Sequence, residues 1–227
     1  MRFLIPLAAL LAAVSAVPSA AADEDTAIWN AQFLKFHADK DEKIFVRMES
    51  QQRLTGDVTR LGQFILRPYV AYQANDNLQI GGGYAYFRSE SGASPNGFTY
   101  EHRAYAEVNY RVLDRPGIKV DTRSRLESRS YENIPDHTIR VRSMVQATIP
   151  ITEKGLGVVI FSEPFFNVND NPNFPGGFEQ IRNFGGFIMP VNKNADFMTG
   201  YMNLYQPREG RDDRMSHVFW LKAFVKL

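Results

Sequence analysis

The sequence has no cysteine, few histidines and almost no net charge, and each shortage excludes a class of protein. Without cysteine there is neither a disulfide framework nor a thiol for a lipoprotein anchor. The 26 basic residues nearly equal the 25 acidic ones, so nothing supports nucleic-acid binding. The four histidines form no cluster with acidic residues at metal-ligand spacing. We therefore expect no metal and no other cofactor.

The long apolar run of the chain lies at its N-terminus. A charged start is followed by an apolar stretch from Phe3 to Val17, and small residues continue to Ala22. This order is that of a secretory signal peptide, and the run is shorter than the ~20 residues that a membrane helix needs. No Pro/Gly-rich linker divides the remainder. We predict a signal peptide over residues 1–22, export from the cell interior and a single domain over residues 23–227.

The chain is rich in alternating polar and apolar residues. Between Lys119 and Arg129 every second residue is charged, and the residues between them are Val, Thr, Ser and Leu. Successive side chains of a strand point to opposite faces, so these charges share one face. The alternation recurs along the chain, and no later segment is apolar enough for a membrane helix. It predicts an all-β fold, an up-and-down antiparallel β-barrel of about 10–12 strands that spans the bacterial outer membrane.

We count eleven strands, although bacterial single-chain barrels have an even number. Either two strands are merged in this count, or the first segment lies across the lumen. Short connections alternate with longer ones, such as 89–97, 130–137 and 168–177, as periplasmic turns alternate with outer loops. The chain stops inside its last strand at Leu227, where such barrels commonly end in an aromatic residue.

Two local features interrupt the strand pattern. The run from Gly81 to Gly83 predicts a bend or the close packing of a neighbouring side chain. Pro68 is compatible with a strand only at a bulge or an irregular edge, because proline has no N–H to donate.

On the polar face of the strands, arginine outnumbers the acids. The residues expected to form a charge network in the lumen are Arg47, Glu49, Arg53, Arg67, Glu101, Arg103, Glu107, Arg123, Arg125, Glu127, Arg129, Arg140, Arg142, Glu163 and Arg182. A water-filled lumen with excess arginine would favour anions, whereas carboxylates that bridge the arginines would make a plug. We favour the plug, since barrels of about eight strands are already filled by their side chains. The predicted function is structural or that of a narrow channel.

Two alternatives from other classes stay open. An outer-membrane lipid-modifying enzyme would need a serine and a histidine in contact. His137 is expected in a loop and His102 on the lipid face, and no Gly-x-Ser-x-Gly occurs, so an enzyme is the less favoured interpretation. The other alternative is a soluble periplasmic barrel that binds an amphipathic ligand.

Several different short motifs are spread along the chain. They are Trp29, Glu49-x-Gln51-x-Arg53, Arg67-Pro68-x-Val70-x-Tyr72, Gly82-Gly83-Tyr84, Glu101-x-Arg103, Arg123-x-Arg125, Arg140-x-Arg142, Glu163-x-Phe165-x-Asn167, Gln180-x-Arg182-x-Phe184-Gly185 and Gly200-Tyr201. Together they resemble a bacterial family, the domain of unknown function 2490 (DUF2490), over nearly all of the exported chain. The resemblance implies an outer-membrane β-barrel and no established activity. We expect outer-membrane lipid and the barrel-assembly machinery as partners, and no oligomeric state is predicted.

Overall fold

The computed structural model describes residues 22–92, 97–132 and 134–227, with the backbone alone for Ala22 and Asp136. The predicted signal peptide lies outside these ranges except for its last residue. The described chain forms eleven strands. They are β1 (Ala22–His37), β2 (Ile44–Thr55), β3 (Arg60–Gln73), β4 (Leu78–Glu90), β5 (Phe98–Arg115), β6 (Ile118–Tyr131), β7 (Ile134–Pro150), β8 (Gly157–Asn167), β9 (Gly177–Asn192), β10 (Ala195–Gln206) and β11 (Asp213–Lys226).

The strands close into one barrel in which each strand pairs with its neighbours in sequence and β1 pairs with β11. The β1–β11 pair is parallel, with Trp29 opposite Trp220, whereas β1–β2 and β10–β11 are antiparallel. An odd number of up-and-down strands leaves the first and last pointing the same way, so closure needs one parallel pair. The all-β barrel and the count of eleven are confirmed. Both explanations offered for the odd count are wrong: no two strands were merged, and the first segment does not cross the lumen, because β1 pairs with both of its neighbours in the wall.

The connections lie at two ends of the barrel. The turn end has the connections 38–43, 74–77, 116–117, 151–156 and 193–194, and the loop end has 56–59, 91–97, 132–133, 168–176 and 207–212. The predicted loop over 130–137 is wrong, since β6 runs to Tyr131 and β7 begins at Ile134. Ser130 and His137 instead pair across the β6–β7 ladder, so backbone hydrogen bonding continues where a loop was expected.

The glycines of β4 make room for two aromatic rings inside the barrel. A Cβ added at Gly81 would lie 2.6 Å from the Tyr69 hydroxyl, and one at Gly83 would lie 2.6 Å from the Tyr105 ring. The two tyrosine rings stack with their centroids 5.9 Å apart. Close packing over the glycine run is therefore confirmed. The β3–β4 ladder has no pair at Pro68, but its register is the same on both sides, and Pro68 pairs with Met48 of β2. The strand therefore accommodates the proline by a gap in one ladder, without the bulge or irregular edge that was predicted.

Large apolar side chains cover the outer face, and charged side chains lie inside. Exposed apolar residues on the wall include Val70, Tyr72, Ile80, Val108, Leu126, Val145, Phe187 and Phe219. The lumen also contains two apolar clusters, one with Phe161, Phe184 and Met202 and the other with Ile65 and Phe87. Within the described ranges, no helix has the length and hydropathy of a membrane span.

Candidate functional site in the barrel lumen

The charged residues expected to share a lumen lie on the inner face of the barrel. Arg47, Arg53 and Arg123 are partly exposed, and the other predicted network residues are at most 8% exposed. Strand alternation puts them there, because every second residue of β6 from Lys119 to Arg129 is charged, and the network residues of β5 and β7 likewise stand at alternate positions of their strands. Strand pairing then sets Glu127 directly opposite Arg140.

Glu127 is the centre of the network. Its carboxylate accepts two hydrogen bonds from Arg140, at 2.9 and 2.5 Å, and lies 3.2 Å from Nε of Arg142. Arg103 and Arg125 each place a terminal nitrogen 3.6 Å from it. Four guanidinium groups from three strands therefore surround one buried carboxylate, and charge-assisted contacts of this kind are the strong ones.

Two further carboxylates connect strands that are not neighbours in the wall. Glu107 on β5 accepts from Arg125 at 2.7 Å and lies 3.4 Å from Arg47 on β2. Glu163 on β8 accepts from Arg123 on β6 at 2.7 Å. The network thus crosses the lumen as well as following the wall.

At the loop end, Glu101 accepts hydrogen bonds from two arginines. Arg103 donates to it at 2.6 and 2.7 Å, and Arg129 donates at 2.6 Å. Arg103 lies on the same strand and Arg129 on the next one, so the carboxylate links β5 to β6.

Sequence reasoning missed one member of the network, Glu179. It accepts from Arg129 at 2.9 Å and from Arg140 at 2.8 Å, which joins β9 to β6 and β7. In a regular strand Glu179 would point outward, because its neighbour Gln180 points into the lumen. The strand instead has a bulge at Glu179: Gln180 and Phe178 pair with consecutive residues of β8, and Glu179 between them is left out of the ladder and turns inward. No signal in a single sequence marks that bulge.

Aromatic rings lie between the guanidinium groups. Phe165 is fully buried, and the guanidinium carbons of Arg140, Arg142 and Arg182 lie 5.1, 5.2 and 4.5 Å from its ring centroid. Cation–π attraction of this kind strengthens when the groups are shielded from water. The ring therefore stabilises arginines that stand close to one another.

Two arginines share a tryptophan and have no carboxylate within 4 Å among the described residues. Arg53 lies 3.6 Å from the Trp29 ring centroid and Arg182 lies 5.2 Å from it. Arg53 donates to Gln51 at 3.0 and 2.9 Å and to Gln63 at 2.7 Å. Neutral amides and an indole thus surround two neighbouring positive charges.

Lys222 is a third lumenal cation without a carboxylate partner in the described chain. It is 8% exposed, and its Nζ lies 3.5 Å from the Trp220 ring centroid. The rings of Phe161 and Phe184 lie 5.2 and 5.1 Å from the same atom. Its ammonium group therefore faces the aromatic wall formed by β8, β9 and β11.

Two cavities occupy the lumen, one toward each end. The loop-end cavity has a volume of about 380 Å³ and a polar lining, whereas the turn-end cavity of about 410 Å³ has apolar walls with Phe33, Phe161 and Phe224. Four side chains line both cavities, and all four are arginines: Arg53, Arg67, Arg142 and Arg182. We call these four residues the arginine junction.

The histidines lie on the outer face near the loop end, apart from His37. His137 belongs to β7 rather than to a loop, and its two ring nitrogens lie 2.9 and 3.0 Å from the hydroxyls of Ser128 and Ser130. His102 instead contacts Glu132 at 3.4 Å. Among the described residues no carboxylate contacts His137, so its serine contacts lack the acid that orients the base of a catalytic triad. Over residues 22–92, 97–132 and 134–227, no three histidine or acidic side chains come together as the ligands of a metal ion.

Residues 26–215 match the family described as "Protein of unknown function (DUF2490)". The chain belongs to the DUF2490 family. An uncharacterized protein of Methylorubrum extorquens (strain AM1) is 30% identical over 181 residues, which cover 78% of each chain. A solved structure titled "Bacterial polysaccharide outer membrane secretin" is similar with a TM-score of 0.53 and 12% identity over 78% of this chain. The chain spans 62% of that structure, and the likeness is one of fold.

The resemblance inferred from the motifs is therefore confirmed. In this DUF2490 protein most motif residues with charge face the lumen, among them Glu101, Arg103, Arg140, Arg142 and Arg182. The charged motif residues on which the resemblance was based thus belong to the charge network.

Proposed function

We propose that this DUF2490 protein is an outer-membrane β-barrel whose lumen is closed by its own arginine–glutamate network and whose role is structural. Outer-membrane lipid surrounds its wall in this proposal, and the barrel-assembly machinery inserts it. The observation that carries the proposal is the inversion of polarity, with buried charges inside and exposed large apolar side chains outside.

The outer face supports the placement in a bilayer. Leu126 and Phe219 are 50% and 53% exposed, although each lies within a paired strand of a closed wall. Aromatic side chains lie toward both ends, with Tyr72 near the turn end and the Phe166–Phe178 pair near the loop end. Membrane barrels have this apolar band with aromatic girdles. The similar solved structure is itself titled as an outer-membrane protein.

The contacts inside the barrel support a closed lumen. Arg47–Glu107 and Arg123–Glu163 span strands that are not adjacent, and the arginine junction separates the two cavities. Ions would have to break buried, hydrogen-bonded ion pairs in order to pass. A wall of eleven strands is about 1.4 times as wide as the barrels of eight strands that side chains fill completely, and the ion pairs that cross the lumen occupy part of the added width.

Two measurements test the proposal. The chain purified from membranes should migrate differently on an unheated gel and after boiling, because closed membrane barrels resist unfolding by detergent. In a planar bilayer it should give little or no steady conductance. Recovery in the soluble periplasmic fraction without a heat shift would contradict the membrane placement.

A conducting lumen would have a distinct signature. Large, stable, anion-selective openings whose selectivity is reversed by Arg123→Glu combined with Arg125→Glu would refute the closed lumen and establish an anion channel.

A further inference from the structure

The arginine junction has more positive charge than the nearby acids neutralise. Arg67 is 2.6 Å from Glu49, and Arg142 is 3.5 Å from Glu163. Arg53 and Arg182 have no such partner among the described residues, although both contact Trp29. Like charges that are close together and shielded from water repel each other strongly unless a counter-charge is present.

The hydrogen-bonding groups at the junction leave N–H donors unused. Nε2 of Gln51 and Nε of Arg67 have no hydrogen-bond partner in the described chain, and these residues are 1% and 8% exposed. If the Gln180 amide is oriented with its oxygen toward Arg182, that oxygen accepts at 2.9 and 3.1 Å, but each guanidinium has five N–H donors. An incoming group that only accepts hydrogen bonds would therefore find donors from several strands.

We propose that the arginine junction is a binding site for an oxyanion, a phosphate, sulfate or carboxylate group held between Arg53 and Arg182. The planar guanidinium fork matches the oxygen spacing of such groups and binds them through two parallel hydrogen bonds. Bound there, the anion neutralises the two arginines that lack an acid and accepts from the free N–H groups around them. The site is a property of the folded lumen and does not depend on where the barrel resides.

The cavities on either side allow two sources of the oxyanion. A free inorganic ion enters through the polar loop-end cavity. The head group of an amphiphile would place its alkyl chain in the turn-end cavity, against Phe33, Phe161 and Phe224. The binding chemistry at the junction is the same in both cases.

Titration of the folded, detergent-purified protein with inorganic phosphate tests the site. Ionic strength is kept constant with chloride, so that general screening does not change. In a Trp220→Phe variant, Trp29 is the one remaining tryptophan of the two in the chain, and its emission reports binding next to Arg53. We expect a saturable change in Trp29 emission and a rise in the unfolding temperature with phosphate.

Arg53→Gln and Arg182→Gln should each weaken phosphate binding by about tenfold, the loss of one charge-assisted contact. In phosphate-free buffer, Arg182→Gln should unfold at the same temperature as the wild type or higher, since it removes positive charge that has no acid within 4 Å among the described residues. Arg53→Gln also loses the hydrogen bonds to Gln51 and Gln63, so its phosphate affinity is the readout for that variant. Arg111→Gln is the matched control. Arg111 is partly exposed near the turn end and pairs with Asp121 at 3.0 Å, so its loss should leave phosphate affinity unchanged.

Saturable binding that the junction variants weaken and Arg111→Gln does not would support the site. Hexyl phosphate binding more tightly than phosphate would identify an amphiphile as the source, and equal affinity would identify a free ion. Absence of saturable binding to the wild type would refute the proposal, as would equal losses in Arg53→Gln and Arg111→Gln. If a glutamine variant fails to fold, Arg182→Lys takes its place, because lysine keeps the positive charge but lacks the planar guanidinium group. A phosphate affinity of Arg182→Lys equal to that of the wild type would also refute the proposed site.

Discussion

Replacing Glu127 by glutamine should destabilise the barrel more than any substitution of an exposed acid. The change keeps the size of the side chain and removes its charge. It leaves Arg103, Arg125, Arg140 and Arg142 without the carboxylate that lies within 3.6 Å of all of them. The new amide N–H₂ also faces guanidinium groups that can only donate, so at least one buried donor loses its partner.

The size of the effect follows from what each arginine retains. Breaking a buried ion pair costs about 3–5 kcal/mol when the remaining charge is left uncompensated. Here each arginine keeps a second acid: Glu101 for Arg103, Glu107 for Arg125, Glu179 for Arg140 and Glu163 for Arg142. We therefore expect a loss of about 2–3 kcal/mol in the free energy of unfolding, at or just below the lower end of that range.

Urea unfolding of the protein refolded into lipid vesicles measures this difference, because urea does not screen ion pairs. Glu90→Gln is the matched control, since Glu90 forms an exposed pair with Arg60 at 3.3 Å and should cost no more than about 1 kcal/mol. A loss for Glu127→Gln that does not exceed the loss for Glu90→Gln would show that the buried network contributes nothing to stability.

Two further predictions concern the outer face and the glycines. Leu126→Arg, at the middle of β6, should cost about 2–4 kcal/mol in vesicle refolding, whereas Val112→Arg near the turn end should cost about 0–1 kcal/mol. Equal costs would contradict a bilayer around the wall. Gly186→Ala should destabilise by about 1–3 kcal/mol, because its Cβ would lie 2.3 Å from a backbone oxygen, whereas Gly185→Ala meets no atom within 4 Å and should be nearly neutral. Similar unfolding midpoints for the two alanine variants would refute the close approach.

Much of the fold follows from the sequence, because strand alternation is a local property of the backbone. Arg125 and Leu126 are adjacent in the chain and are 2% and 50% exposed, as the two-residue period requires. The same period placed every predicted network residue on one face, and the glycine run indicated a bend or the close packing of a neighbouring side chain. The sequence by itself therefore determined the strands, their two faces and the polar character of the interior.

The contacts across the lumen were decided by the tertiary structure alone. Whether Arg47 reaches Glu107 depends on the strand count, the register and the closure of β1 on β11, none of which a short segment encodes. The bulge that turns Glu179 inward breaks the local rule at one position. Arg53 and Arg182 come from distant parts of the chain and meet at Trp29 because the barrel closes. Alternation determines the side of the wall on which a residue lies, and closure determines which residues meet.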